Sequence, residues 1–198
     1  MAVQDFPSIV AESQDFGIRY NTQVSTSTLN GSIQTIELPG ARWAGSLGYR
    51  DLTVAESAEF KAFLLRLRGS AGRFYYGDYT HSAPFTTITG STVVNAGSTR
   101  SVIETTVTTG SFSVGDYIQI GTDESRELKM VIAASNISNV WDLTIEPPIR
   151  RATFIGQSVV YNNPTGVFLL SSSDQAKWAS RSKAQLSDIQ IDFVEGFA

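Results

Sequence analysis

The stretch from Arg42 to Gly69, RWAGSLGYRDLTVAESAEFKAFLLRLRG, passes directly from a strand pattern to a helix pattern. In its first part, alternate positions point to one face of a half-buried strand: Trp43, Gly45, Leu47 and Tyr49. A period of two is typical of a strand that covers a core on one side. We therefore predict a strand here, followed at once by a helix.

The helix pattern in the second part has both start and stop signals. Thr53 and Glu56 form a capping box, in which each side chain binds a backbone amide of the first turn. Arg66 and Arg68 suit the negative end of the helix dipole, and Gly69 can supply the left-handed cap. The apolar residues with helical spacing are Phe60, Phe63, Leu64 and Leu67. We predict a helix from about Val54 to Arg68 that lays this stripe over a sheet.

Strand patterns surround the helix. On the amino-terminal side, residues 16–20 and 33–38 alternate, with Asn30-Gly31 as a hairpin turn and Pro39-Gly40 ending the second strand. On the other side, residues 73–78 read as a short aromatic strand ending in a turn. The final strand is predicted around residues 189–193.

The middle of the chain differs in composition. From Pro84 to about Ser111 it is rich in Thr, Ser, Gly and Val and has almost no charge. Such segments form edge strands that pack sparsely or pair with another chain. We predict two strands there, Thr92–Val94 and Val102–Val107.

Further strands are predicted after this segment, in an arrangement like a small barrel or a curled sheet. Residues 135–139 are expected to form a loop, and Pro147-Pro148 to stop the run. The predicted strands of this arrangement are Tyr117–Ile120, Glu127–Ala133 and Trp141–Glu146. The chain then returns with Ser158–Tyr161, and Val167–Leu170 is a further predicted strand.

These patterns predict a mainly β fold, a β-sandwich with one helix and an inserted module. Residues 1–83 and 165–198 are expected to form a discontinuous sandwich. Residues 84–164 are expected to form the inserted small β-barrel-like module, since insertions are tolerated at turns.

Composition narrows the classes of function. The chain of 198 residues has a net charge of −4 and no cysteine, which excludes disulfides and thiolate metal sites. Basic residues are scattered, so nucleic-acid binding is not expected. The first residues lack the pattern of a signal peptide, and no segment is apolar enough to span a membrane, so no membrane anchor is expected.

We find no residue set that predicts chemistry. His81, the single histidine, has no nucleophile-elbow frame around it, and we expect it to be hydrogen-bonded in a loop near the domain junction. Carboxylates form small groups (Glu12 with Asp15, Asp123 with Glu124, and Asp188, Asp192 and Glu195), and we expect Asp188 and Asp192 to share a solvent face. We assign no catalytic, cofactor-binding or metal-binding residues and expect a protein that is not an enzyme.

Two ordered sets of segments carry a resemblance. The first comprises RWAGSL (42–47), LTVAE (52–56), FLLRLRG (63–69) and GRFYYGD (72–78). The second comprises FSVGDYIQIG (112–121), LTIEPPIR (143–150) and NPTGVFLL (163–170). Together they resemble the distal tail proteins of long-tailed bacteriophages, over roughly residues 40–170.

That resemblance implies a tail-tube-like sandwich with one helix and an insertion on its outer side. It implies a structural virion protein that forms a hexameric ring between the tail tube protein and the tail-tip hub and fibre proteins. The expected location is the virion tail tip, after assembly in the host cytoplasm. An amino-terminal arm rich in Val and Ile is expected to dock on a neighbouring subunit.

Three other readings stay open on the residues alone. The first reading is another tail or head-to-tail adaptor component. The second is a carbohydrate-binding module that contacts the host surface through its inserted part. An enzyme that depends on His81 is the third reading. Strand aromatics serve core packing more often than sugar stacking, which favours a structural role.

Overall fold

A computed structural model describes residues 2–90, 92–181 and 186–196. The fold is mainly β, with one α-helix and two sheets, as predicted. The strands of the first sheet are β1 (Gln4–Asp5), β2 (Ser13–Thr26), β3 (Ile33–Leu52), β4 (Phe74–Tyr76), β10 (Gly166–Leu170), β11 (Ala179–Arg181) and β12 (Leu186–Glu195). The strands of the second sheet are β5 (Val102–Thr106), β6 (Tyr117–Ile120), β7 (Glu127–Ile137), β8 (Val140–Glu146) and β9 (Val159–Val160).

The first sheet has the order β1-β4-β10-β12-β3-β2, with β11 beside β12. Its pairs are antiparallel except β1 with β4. The order places β12, from the end of the chain, between β10 and the long strand β3. The two ends of the sequence therefore build one sheet.

Strand β3 corrects the prediction that Pro39-Gly40 ends a strand. It continues without a break through both residues, and the pairing with β2 shifts register between Arg19 and Asn21. Gly40 has φ +135°, a conformation that L side chains rarely adopt. The Pro-Gly pair thus forms an irregularity inside a strand, where we expected the strand to end.

The helix α1 (Val54–Leu67) confirms the predicted capping box and buried stripe. The Thr53 side chain accepts a hydrogen bond from the Glu56 amide, and the Glu56 carboxylate accepts one from the Thr53 amide. Gly69 takes the predicted left-handed conformation, with φ 71°, and Arg68 before it, with φ 52°, is left-handed as well. Gly69 then opens a 3-10 turn that carries the chain back to the sheet.

One face of the first sheet carries an aromatic core beneath α1. The stripe of α1 is buried against it, with Phe60, Leu64 and Leu67 fully covered. Aromatic rings fill the space between, for example Phe74 and Phe168 at 6.3 Å and Phe168 and Phe193 at 5.3 Å between centroids.

The first residues of the chain pack on this same core. Strand β1 pairs with β4, and Phe6 lies 5.1–5.8 Å from four core rings: Phe60, Phe63, Phe74 and Tyr76. The expectation of an amino-terminal arm that docks on a neighbour is therefore corrected. This segment is bound within its own chain, because its apolar side chains complete the core beside α1.

The second sheet has the order β5-β8-β7-β6-β9 and its own core, which includes Ile103, Ile118, Val131, Leu143 and Ile145. Within the described ranges, these strands form an open sheet with β5 and β9 at its edges, so the barrel-like arrangement is a curled sheet at most. Thr92–Val94 makes one isolated bridge, Val93 with Ser158, and is not a regular strand.

The predicted loop at residues 135–139 is mostly strand. Strands β7 and β8 form a hairpin closed by Ser138 and Asn139 alone, both with positive φ. A two-residue turn of this kind matches the twist of the flanking strands. The alternation of side chains was too polar here to be recognised as strand.

The two sheets meet around Trp43. Its indole Nε1 donates a hydrogen bond to the Leu128 carbonyl oxygen at 2.8 Å, and Tyr117 and Leu128 join the first core. All strands of the second sheet lie between residues 102 and 160, and the first sheet draws its strands from both sides of that range. The division into a host domain (1–83 and 165–198) and an inserted module (84–164) stays a prediction.

Candidate functional site

The most unusual surface is the far end of the β2–β3 hairpin, which we call the hairpin arm (residues 20–39). Nearly every residue of the arm is exposed, and Glu37 is its single charged side chain. At about 3.3 Å per residue, six paired positions extend the arm by roughly 20 Å. A ribbon of this length with a single charged side chain differs from an ordinary solvated loop.

Both faces of the hairpin arm carry apolar side chains. The cross-strand pairs place Val24 and Ile33 on one face and Ile36 and Leu38 on the other. The exposed fractions are 60% for Val24, 67% for Ile33, 57% for Ile36 and 39% for Leu38. Leu29, in the turn at the tip, is 97% exposed. No described part of the chain covers either face.

Both strands of the arm also have a free edge. Among the strands that the structure describes, β2 is the outermost of its sheet and pairs with β3 alone. Strand β12 pairs with β3 from Ala44 onward, so residues 33–43 of β3 have one partner strand among the described residues. Unpaired strand edges are templates for pairing with another chain.

The open face of the first sheet lies next to the base of the arm. On this face, Asp15 and Asp192 stand on either side of Ser46, because both pair with it across the sheet. Gly17, Ala44 and Gly48 have little or no side chain to project from this face. A shallow cavity of about 890 Å³ lies on the face, beside Gly17 and Ala44. Both aspartates are exposed, so they form a solvated polar face.

His81 lies where the two sheets meet, and its hydrogen bonding differs from the expectation. Its Nε2 is buried 3.5 Å from the Asp116 Oδ1 and makes no hydrogen bond to a described residue. Asp116 is fully buried and accepts hydrogen bonds from the amides of Phe85 and Ser113. The ring of Phe85 covers the imidazole at 4.2 Å. Packing therefore positions this side chain.

The carboxylate groups are dispersed. Asp192 is exposed as expected, whereas Asp188 is half-buried and accepts a hydrogen bond from the Asp51 amide across a register shift. Glu195 lies apart from both, buried between the sheets. Within the described ranges, no three His, Cys, Asp or Glu residues are grouped as metal ligands would be.

The tryptophans and the 74–76 aromatics occupy different environments. Trp43 stacks on Phe16 at 4.9 Å in the core, and Phe74 and Tyr76 are buried. Trp141 meets Phe112 edge-on at 5.9 Å in the second sheet. Trp178 is 39% exposed, with the Lys61 ammonium 5.1 Å from its ring.

Sequence reasoning missed the hairpin arm, although its signals were present. The alternation on both sides of Asn30-Gly31 predicted the hairpin, but the expected strand end at Pro39-Gly40 concealed its length. The low charge between Tyr20 and Pro39, where Glu37 is the single charged residue, is the signal that could have found it.

A scan against models of known protein families finds no match for the chain. A search of curated proteins likewise finds no relative. Within the described residues, no helix is both long and apolar enough to cross a membrane.

Proposed function

We propose that this chain is a structural virion protein, a distal tail subunit whose copies form a ring that joins a phage tail tube to the tail-tip proteins. The observation that carries the proposal is the hairpin arm. It is long, almost without charge, apolar on both faces and uncovered by the described residues of its own chain.

The arm needs a partner for physical reasons. A two-stranded ribbon without a covering layer is at best marginally stable in water. Four apolar side chains on its faces stay in contact with water unless another molecule covers them. A second copy of the chain is the partner that is always present during assembly.

Contacts between identical copies favour a ring. In the proposed ring, the arm of one copy packs on a different part of the next copy, so the contact is heterologous, and a closed rotation then generates a cycle. The free edge of β2 offers each copy a further contact through backbone hydrogen bonds. Large apolar contacts are typical of permanent assemblies.

The resemblance to distal tail proteins supplies the position in the particle and the number of copies. On that basis we propose a homohexamer at the tail tip, contacting the tail tube protein on one side and the hub and fibre proteins on the other. We propose no enzymatic step, cofactor, nucleic acid or membrane anchor for this role.

The proposal predicts that the purified chain self-associates through its arm. For the wild-type chain, we expect sedimentation equilibrium to give a mass close to that of six copies. The double variant Val24→Asp with Ile36→Asp places a carboxylate on each face of the arm, and we expect it to sediment as a monomer. Ile137→Asp is the matched control, since Ile137 is 73% exposed at the tip of the other long hairpin.

The control variant should keep the mass of the wild-type chain. A wild-type chain that stays monomeric at high concentration would remove the ring. Equal loss of assembly in the arm variant and the control would show that the arm is not the contact.

A further inference from the structure

Four charged side chains are gathered where the two sheets meet, and we call them the buried charge cluster. Glu127 and Lys129 lie on β7, Arg150 follows β8, and Glu195 ends β12 of the first sheet. Glu195, Lys129 and Glu127 are 2%, 0% and 5% exposed. Burial of this many charges is costly unless each is compensated.

Three members of the cluster have partners across short distances. The Lys129 ammonium lies 2.8 Å from the Glu127 carboxylate, which also accepts hydrogen bonds from the amides of Arg150 and Arg151 at 3.1 and 3.2 Å. The Arg150 guanidinium donates to the Ala41 carbonyl oxygen of β3. Burial pushes the pKa of Glu127 upward, but Lys129 and these hydrogen bonds outweigh it and hold that pKa below its usual value.

Glu195 is compensated less completely. Its Oε2 accepts a hydrogen bond from the Trp43 amide at 3.1 Å, whereas its buried Oε1 accepts none from the described residues. Burial raises the pKa of Glu195, and the charge of Glu127 adds to the rise. Lys129, the Trp43 amide and Arg150 offset this only in part.

We propose that Glu195 makes the contact between the two sheets a proton-controlled joint, which tightens when this carboxylate takes up a proton and loosens when it is ionised. The ionised form keeps a negative charge out of water with one oxygen unpaired. The protonated form removes that charge without changing the shape of the side chain.

The direction follows from linkage. When the joint opens, water reaches Glu195 and its pKa returns to the usual value, so opening releases a proton over the pH range between the two pKa values. Opening therefore becomes easier as pH rises through this range and levels off above it. Glu127 stays ionised throughout, because its pKa lies below the usual value.

One other carboxylate near the joint, that of Glu146, also has a raised pKa. Burial and the charge of Glu37 raise the pKa of Glu146 on β8, against the charge of Lys129. Glu146→Gln is therefore the control that separates the two groups. The joint lies within one chain, so the inference does not rest on the proposed ring.

The Trp43 indole proton reports opening directly, because it crosses the joint to Leu128. We would measure its hydrogen exchange by NMR from pH 5 to 8, corrected for intrinsic exchange, in the full chain. The opening constant of the wild-type chain should rise with pH, by at most about tenfold per pH unit for one proton.

Two variants decide the assignment. Glu195→Gln should give a constant that is low and independent of pH, and Glu146→Gln should keep the wild-type slope. A flat wild-type profile, or an unchanged slope in Glu195→Gln, would overturn the inference. If Glu195→Gln does not fold, an NMR titration of the Glu195 carboxyl carbon in the wild-type chain decides. A titration midpoint at or below the usual glutamate pKa overturns the inference. A higher midpoint that coincides with the pH profile of hydrogen exchange supports the inference.

Discussion

Trp43 shows how much one residue contributes to the meeting of the two sheets. Its ring stacks on Phe16, its indole nitrogen binds the Leu128 carbonyl, and its backbone amide binds Glu195. The alternating pattern correctly predicted a strand with Trp43 on the buried face. The partners Leu128 and Glu195 were not predictable, because they are 85 and 152 positions away along the chain.

His81 is a second residue whose partner could not be predicted from the sequence. As the single histidine it was easily found, and its place near the junction followed from the predicted boundary. Its neighbour Asp116 is 35 positions further on, in the turn before β6, and no spacing in the sequence connects the two. Chemistry that depends on pairing across a fold is rarely visible in one sequence.

The buried stripe of α1 leads to a prediction at the residue scale. Leu64 has no exposed surface, so Leu64→Asp places a carboxylate in an aromatic core. We expect the free energy of unfolding to fall by about 3–5 kcal/mol, measured by urea denaturation.

Leu65→Asp is the matched control, because the neighbouring residue on the same helix is 61% exposed. We expect this change to cost less than about 1 kcal/mol. If the two variants unfold at the same urea concentration, the placement of the stripe is wrong.

At the scale of elements, local signals predicted the helix closely and the long strands less well. The capping box and the apolar spacing act within a few residues, so α1 was predicted to within one residue at its end. Strand β3 continues through Pro39-Gly40 because β2 pairs with it on both sides of the irregularity. That support comes from a different strand and outweighs the local preference of Pro and Gly for turns.

The turn between β7 and β8 allows a test at this scale. Ser138 and Asn139 have φ of 55° and 67°, a region that costs most side chains energy and favours Asn followed by Gly. We expect Ser138→Asn with Asn139→Gly to stabilise the chain by about 1 kcal/mol, seen as a higher midpoint of thermal unfolding.

The same Asn-Gly pair, introduced at a different turn, serves as the control. Ser70→Asn with Ala71→Gly alters the 3-10 turn after α1, where positive φ is not required at either residue. This variant should not gain stability. A lower midpoint for the β7–β8 variant would show that this hairpin does not close with the turn described above.

At the scale of the whole molecule, each sheet has its own core and the contact between them is polar at its centre. The first core is aromatic and the second is mostly Ile, Val and Leu. Composition and pattern predicted a mainly β fold with one helix, because strand and helix periods are properties of short segments. The order of strands and the polar joint depend on contacts between distant segments, so they needed the structure.

The surfaces left uncovered at this scale are the basis for the proposed role. The hairpin arm and the free edge of β2 lie on one side of the first sheet, and both suit contact with another copy. Its place in a particle rests on the resemblance to distal tail proteins.

The most direct test of that place is gold-labelled antibody against this chain, applied to intact phage particles and viewed by electron microscopy. We predict label confined to the tail tip. Label at the neck or along the tube would contradict the distal position and indicate another tail or adaptor component. Particles without any label would contradict the virion role and leave a binding module as the better account.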